Sequence, residues 1–315
     1  MRCNDMSNNE YEIIVAGGGI AGLTAALTAA RLGRKTLILS GAVPGGHLLS
    51  IERIDGYPGF PEGISGYELC PMAQEAAMAE GVEFVPSELI AVTRAESGFT
   101  IQAENGSYRA RSLIMATGAS LKELDVPGET ALRGKGVSHC ASCDGPMLRG
   151  KTAVVVGGGD SALQESLTLA AHAASVIVLQ KDAQLTGQAV YQRQVGEQTR
   201  ISVRCGMQVE AILGAQVVSG VRVRNLATGE TSDLPAEAVF IYIGMTPNSG
   251  SVAKMITLDE NGRIPVDAML RTTVPGLLAA GLARSGAAGR AVASAGDGAA
   301  AAQAADRFLR NGEWQ

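Results

Sequence analysis

One unit is written twice in this chain, and it restricts the fold more than any other feature. Tyr11–Ala16 reads as an apolar strand, Gly17-Gly18-Gly19-Ile20-Ala21-Gly22 as a glycine-rich turn, and an Ala-rich helix follows to about Leu32. Gly33 ends that helix and Lys35–Leu39 is the next strand. Thr152–Val156, Gly157-Gly158-Gly159-Asp160-Ser161-Ala162, a helix to about Ala173 and Ser175–Leu179 repeat the pattern. Each copy is a βαβ unit that begins a parallel sheet. The first glycine lets the chain turn sharply, the second removes a side chain where pyrophosphate approaches, and the third, or its Ala substitute, lets helix and strand pack closely. The helix N-terminus then offers free N–H donors and a partial positive charge to the phosphates. One such turn is also compatible with a tight turn that binds nothing. Two copies, each in the right strand–helix context, predict two dinucleotide sites and electron transfer from one cofactor to another.

The remaining pattern predicts how the two units connect. Short β-patterned stretches follow the first unit at Leu89–Val92, Phe99–Ala103, Tyr108–Arg111 and Leu113–Ala116, and the second at Val209–Leu213, Val217–Val223, Thr231–Leu234 and Ala238–Ile243. Each series closes on a strand followed by glycine, Thr117-Gly118 and Ile243-Gly244, read as the two crossings between domains. Gly276–Gly281 and Ala295–Leu309 predict a last strand and a helix that return to the first domain, with Asp297 as a helix-opening N-cap residue. The fold class expected is therefore α/β: two Rossmann-like dinucleotide-binding domains, each a parallel sheet with helices plus a small antiparallel β-meander. The second, residues 120–247, is inserted in the first, residues 1–119 and 248–315.

At 315 residues the chain is long enough for two domains, and 46% hydrophobic content supports a large core in each. The net charge of −5, with no basic block, gives nucleic-acid binding no electrostatic footing. The start, Met1 to Glu10, is polar, and no apolar run reaches the ~20 residues a bilayer requires. A cytoplasmic protein without membrane or nucleic-acid partners is expected.

Of five cysteines, only Cys140 and Cys143 have a motif spacing; Cys3, Cys70 and Cys205 read as ordinary thiols. A Cys-x-x-Cys pair closes a small disulfide ring and cycles with a dithiol. A zinc site would need two more ligands, from a chain whose histidines are His47, His139 and His172. Asp144 follows the second Cys, where a carboxyl can carry the proton that thiol exchange moves, or can simply serve the turn before Gly145-Pro146. His139 could also move a proton, or pack.

The segment Val137-Ser138-His139-Cys140-Ala141-Ser142-Cys143-Asp144-Gly145, placed before the second glycine-rich turn, resembles the active-site signature of the bacterial low-molecular-weight thioredoxin reductases. Ile54–Pro61, Ala116-Thr117-Gly118, Gly244–Asn248, Gly262–Asp267 and Val274–Gly281 resemble other segments of that family. The resemblance implies a homodimer with FAD in the first domain and NADPH in the inserted one. Electrons pass from nicotinamide to flavin, to the disulfide and on to thioredoxin, and the inserted domain rotates between steps. It implies Cys140, Cys143 and Asp144 as the catalytic group, with Cys143 nearer the flavin and Asp144 as acid/base. FAD would be held by Gly17, Gly19, Ile20, Ala21, Gly22, Ser40, Gly46, His47, Leu48, Asp55, Thr117, Gly118, Gly281, Arg290 and Ala291. The second dinucleotide would be held by Gly157, Gly159, Asp160, Ser161, Ala162 and Lys181.

Three departures bear on function. The family carries an arginine cluster for the 2′-phosphate after the strand of the second unit, whereas this chain has Leu179-Gln180-Lys181-Asp182-Ala183-Gln184-Leu185, with one lysine. A preference for NADPH then loses its physical basis, and NADH, another donor or none stay open. Leu282 replaces the family's flavin-contacting Asp, and Gly289-Arg290-Ala291 replaces its Arg-Gln pair, with Arg290 as the displaced equivalent. Three readings follow. The first is a reductase serving a thioredoxin-like protein. The second is an FAD-dependent oxidase passing electrons from a small dithiol to oxygen, and the third is a flavoprotein redox sensor with a degenerate nicotinamide site.

Overall fold

The computed structural model describes residues 9–314; Cys3 and the polar start up to residue 8 lie outside the described residues. The chain divides into two compact units, one running to Ser120 and resuming at Thr246, the other Leu121–Met245. Five buried apolar clusters form the cores, and each is drawn from one unit alone.

The first unit opens with strand β1 (Glu10–Ala16), helix α1 (Ile20–Arg31) and strand β2 (Thr36–Leu39). Helix α2 (Gly66–Ala79) starts at a capping box, in which Ser65 and Glu68 satisfy each other's backbone N–H groups. Strands β3 (Glu83–Val85), β4 (Leu89–Ala95), β5 (Gly98–Ala103) and β6 (Gly106–Met115) complete the first run. The two stretches read separately around Arg111 and Leu113 are one strand, β6. Its first half pairs antiparallel with β5, and its second half runs parallel between β1 and the late strand. Strand β7 (Ala119–Leu121) carries the chain across.

The second unit contains β8 (Val137–Ser138), α3 (Ala141–Asp144), β9 (Thr152–Val156), α4 (Asp160–Ala170), β10 (Ser175–Gln180), α5 (Ala189–Glu197) and β11 (Ile201–Cys205). A meander of β12 (Met207–Leu213), β13 (Gly220–Asn225) and β14 (Thr231–Pro235) follows, then β15 (Ala238–Ile241). Strand β16 (Met245–Pro247) carries the chain back to β17 (Leu277–Ala279) and α6 (Ala291–Asn311).

The parallel strands stand in equivalent orders, β3-β2-β1-β6-β17 in the first unit and β11-β10-β9-β15-β8 in the second. All strands at the centre are buried on both faces, as their unbroken runs of Val, Ile and Leu require. The repetition extends to a segment that the sequence does not reveal. In each unit the loop after the second strand folds back onto the glycine-rich turn. Gly45 N–H donates to Gly18 O at 2.8 Å, and the N–H groups of Thr186 and Gly187 donate to Gly158 O at 2.9 and 3.0 Å.

Helix α6 begins at Ala291, not at the Asp297 N-cap expected from sequence. Arg290 is its N-cap and makes no side-chain cap bond, so no Ser/Thr/Asp/Asn signal marks the start. Asp297 sits in the second turn and accepts from Gly281 N–H at 3.0 Å and from both forks of Arg284 at 2.7 and 2.8 Å. Among the described residues no helix is long and apolar enough to cross a membrane.

Candidate active site

What each missing Cβ would meet shows which group the two glycine-rich turns would hold. A Cβ on Gly17 would lie 2.2 Å from Ala116 O, and one on Gly22 would lie 1.9 Å from Gly17 O. Those positions are closed by the protein's own backbone. At Gly19 nothing lies within 4 Å. The backbone there is φ −72°, ψ 176°, open to any residue, so the protein itself does not require glycine at that position. The second unit repeats the division: Gly157 would meet Tyr242 O at 2.1 Å, while Gly159 meets only Thr186 Oγ1, at 3.8 Å. Neither α1 nor α4 has a side-chain N-cap bond, which leaves the orphan donors of each first turn to a ligand. Both turns therefore fit a pyrophosphate.

Around the first turn the fold gathers most of the expected flavin-side residues. Ser40 abuts Gly18, the Gly46 backbone approaches Gly19, Gly281 packs on Ala21, and Ala291 joins Ile20 and Leu48 in one apolar cluster. The Ser40 hydroxyl is directed at the carbonyls of Gly41 and Val85. Thr117 Oγ1 donates to Asn248 O at 2.6 Å, and Asn248 returns a bond to Thr117 O, so Thr117 and Gly118 close the crossing within this unit. Leu48 presents its carbonyl to Gly66, where a Cβ would lie 1.7 Å away. Its backbone thus seats α2. His47 lies in the short 3-10 turn Gly46–Ser50, and Asp55 is exposed and ion-paired with Arg53 at 2.7 Å.

In the second unit Asp160 is the first residue of α4, and its carboxylate accepts Gln188 N–H at 2.6 Å. Ser161 and Lys181 are exposed, and Ala162 is buried at the third-glycine position.

Cys140 and Cys143 form a disulfide with their Cα atoms 5.3 Å apart. Cys140 is the N-cap of α3: its Sγ accepts the N–H of Cys143 at 3.3 Å and lies 3.6 Å from the Ser142 hydroxyl, while its own N–H donates to Ser138 Oγ. Cys143 is the more exposed of the two, and Asp144 ends the same turn. Ala141 anchors the turn in the core with Ala162, Leu163 and Tyr242.

Among the described residues, two buried side-chain polar atoms have no hydrogen-bond partner, and both border this turn: His139 Nε2 and Tyr242 Oη. Burial, aided by Arg133, holds His139 below its ordinary value, against the opposing pull of Glu129 and Glu123. Burial pushes the Tyr242 phenol far up, and Glu165 adds to this; the Ala141 N–H, short of hydrogen-bond geometry, pulls the other way, and Asp144 raises it again. Tyr242 and Glu165 were not found from sequence. The available signal was a tyrosine directly after a buried apolar strand and a Glu on the inner face of α4. Cys70 is buried, its thiol pushed up to about 11 by burial, and Cys205 is an exposed free thiol.

Two dinucleotide-binding units, one of which carries a disulfide on an accessible turn, define a disulfide oxidoreductase of the two-dinucleotide class. The sequence model for pyridine nucleotide-disulphide oxidoreductases matches residues 11–299. Thioredoxin reductase of Treponema pallidum is 36% identical over 300 residues, covering 95% of this chain and 97% of that protein. Thioredoxin reductase of Bacillus subtilis is 35% identical with 95% of each covered. The crystal structure of Lactococcus lactis thioredoxin reductase superposes with a TM-score of 0.92 at 34% identity, covering 95% of this chain and 99% of that one. The chain belongs to the pyridine nucleotide-disulphide oxidoreductase family and, within it, to the bacterial low-molecular-weight thioredoxin reductases.

Proposed function

We propose that this chain reduces the disulfide of a thioredoxin-like protein, with FAD held in the first unit and a reduced nicotinamide dinucleotide in the second, and that it works as a homodimer in the cytoplasm. The observation that carries the reading is the Cys140–Cys143 disulfide on an N-capped, accessible turn within a unit that also holds a glycine-rich phosphate cradle. FAD, when bound, supplies the two electrons. Gly17, Gly19 and Gly22 with the first turn of α1 would seat its pyrophosphate.

Reduction of the pair consumes two electrons and two protons and yields two thiols. Cys140 is the sulfur better suited to hold negative charge, because the Cys143 N–H and the Ser142 hydroxyl face it. Cys140 is therefore the sulfur that attacks the partner, and Cys143, which the family resemblance places nearer the flavin, is the one that resolves. The Cys140 thiolate attacks one sulfur of the partner's disulfide and expels the other as a thiolate, which takes a proton. Cys143 then attacks Cys140 Sγ in the mixed disulfide, restores the Cys140–Cys143 bond and releases the second partner thiol. Asp144 at the end of the turn is the group that delivers and recovers the proton.

Anaerobic titration of the FAD-loaded protein tests this. A nicotinamide dinucleotide should bleach the flavin, and a thioredoxin disulfide should restore its colour in wild type but not in Cys143→Ser. The one-lysine nicotinamide segment favours a second reading, a dithiol oxidase, in which a small dithiol alone bleaches the flavin and oxygen restores it. Bleaching by dithiol with none by either nicotinamide would replace the first reading with the second.

A further inference from the structure

Strand β10 ends at Gln180, where a doubly wound unit presents the residue that meets the adenosine ribose. Unphosphorylated dinucleotides are met there by a carboxylate, and 2′-phosphorylated ones by arginine. Gln180 is 6% exposed, and its side chain fills the space over Gly158, where a Cβ would lie 2.7 Å from Gln180 Cδ. Its Nε2 donates to Asp182 Oδ2 at 3.0 Å and to Gln184 O at 3.4 Å. Asp182 is held from its backbone as well, since its carbonyl accepts Gly206 N–H at 2.9 Å. An exposed carboxylate is thus fixed beside the cradle by a neutral amide rather than by a cation. Lys181 precedes it and is the sole Lys or Arg between Gln180 and Gln192. The chain then returns to the turn through Thr186 and Gly187, and a Cβ on Gly187 would lie 3.1 Å from Gly159 C. That approach fixes where the Gln180–Gln188 segment stands relative to the phosphate cradle.

We propose that the second unit selects a dinucleotide with an unphosphorylated adenosine ribose, NADH over NADPH, and that Asp182, positioned by Gln180, is the residue that sets the choice. This rests on the disulfide-reductase reading above. The Asp182 carboxylate accepts hydrogen bonds from ribose hydroxyls. A 2′-phosphate would bring about −1.5 to −2 charges against it. One flexible lysine, already beside a carboxylate, supplies no planar bidentate fork to offset that repulsion. Specificity here comes from the repulsive group as much as from the attractive one.

Calorimetric titration of the FAD-loaded protein with ADP-ribose and with 2′-phospho-ADP-ribose reads the choice without turnover. ADP-ribose should bind at least roughly tenfold more tightly, and added salt should narrow the gap. Asp182→Asn should shrink the ratio, and Asp182→Arg should invert it; Asp182 is exposed, so neither change threatens the fold. Tighter binding of the phosphorylated fragment by wild type, an unchanged ratio in Asp182→Asn, or binding of neither fragment would overturn the proposal. The two readings fail separately. If neither fragment binds but a dithiol bleaches the flavin through Cys140–Cys143, the donor choice falls and the dithiol chemistry stands. If the fragments discriminate as stated but thioredoxin disulfide never reoxidises the flavin, the reductase reading falls alone.

Discussion

Glycines two residues apart in the same turn have different reasons to be glycine. Gly17 has φ +115° and backbone 2.2 Å from its missing Cβ, so Gly17→Ala should destabilise the protein by about 3 kcal/mol or more even without FAD. Gly19 has ordinary backbone angles and open space. Gly19→Ala should keep apo-protein stability within about 1 kcal/mol of wild type while weakening FAD at least about tenfold. Thermal melts of the apo-proteins, paired with FAD titration, separate the two. Equal loss of stability in both would show that Gly19 serves the fold. Tyr242→Phe removes a buried hydroxyl that has no partner, so it should be neutral or stabilise by about 1 kcal/mol; a clear loss would reveal a bond formed in another redox state.

His139 gives a pH signature. Its unfolded value is near 6.5 and its folded value is lower. Between the two, the unfolded chain binds the extra proton, so this contribution to stability is complete above about 6.5 and is lost as pH falls toward the folded value. The urea midpoint of the oxidised protein should therefore drop between pH 7 and 5, and His139→Gln should flatten that segment of the curve. The depressed carboxylates Asp233, Asp259 and Asp267 act below their ordinary 3.8, outside this window.

At the scale of elements, the pair Arg284–Asp297 ties α6 to the turn after β17, and both side chains are largely buried, at 17% and 13% exposure. Asp297 also accepts Gly281 N–H, next to Leu282. Asp297→Ala would leave a guanidinium without its partner and Gly281 N–H unpaired. A loss of about 2–4 kcal/mol in chemical denaturation is expected; a loss under about 0.5 kcal/mol would mean that the pair is a solvated surface contact. The same elements show what could be read in advance. Both βαβ units were legible because glycine spacing, apolar runs and helix stops agree over short stretches. The start of α6 was not, because its N-cap is Arg290, while the cap-type residues Ser294 and Asp297 lie inside the first two turns. The returns of Gly45 and Thr186–Gly187 onto the turns depend on backbone bonds across some 27 residues, which no local pattern encodes. Arg284 was missed because its partner lies beyond a Gly-rich loop. The Cys pair was legible because its chemistry is local, whereas the buried Tyr242 and Glu165 beside it are assembled by packing.

At the scale of the whole molecule, each apolar cluster belongs to one unit, so each unit buries its own core. Within the first, the chain leaves and re-enters at one place: Asn248 N–H donates to Gly118 O at 3.0 Å, and Ser120 Oγ donates to Asn248 Oδ1 at 2.9 Å. Within the second, Lys122 N–H donates to Gly244 O at 3.0 Å, so its ends also meet. An insertion with joined ends can be removed without leaving a gap to span. Joining Ser120 to Thr246 should give a protein that unfolds cooperatively, binds FAD and has lost exchange with dithiols. Residues 121–245 alone should fold and retain the Cys140–Cys143 disulfide, with unchanged discrimination between the two ADP-ribose fragments. Circular dichroism melts, flavin absorbance and thiol counting check each piece. An aggregated or molten fragment on either side would mean that the unit's core is incomplete by itself.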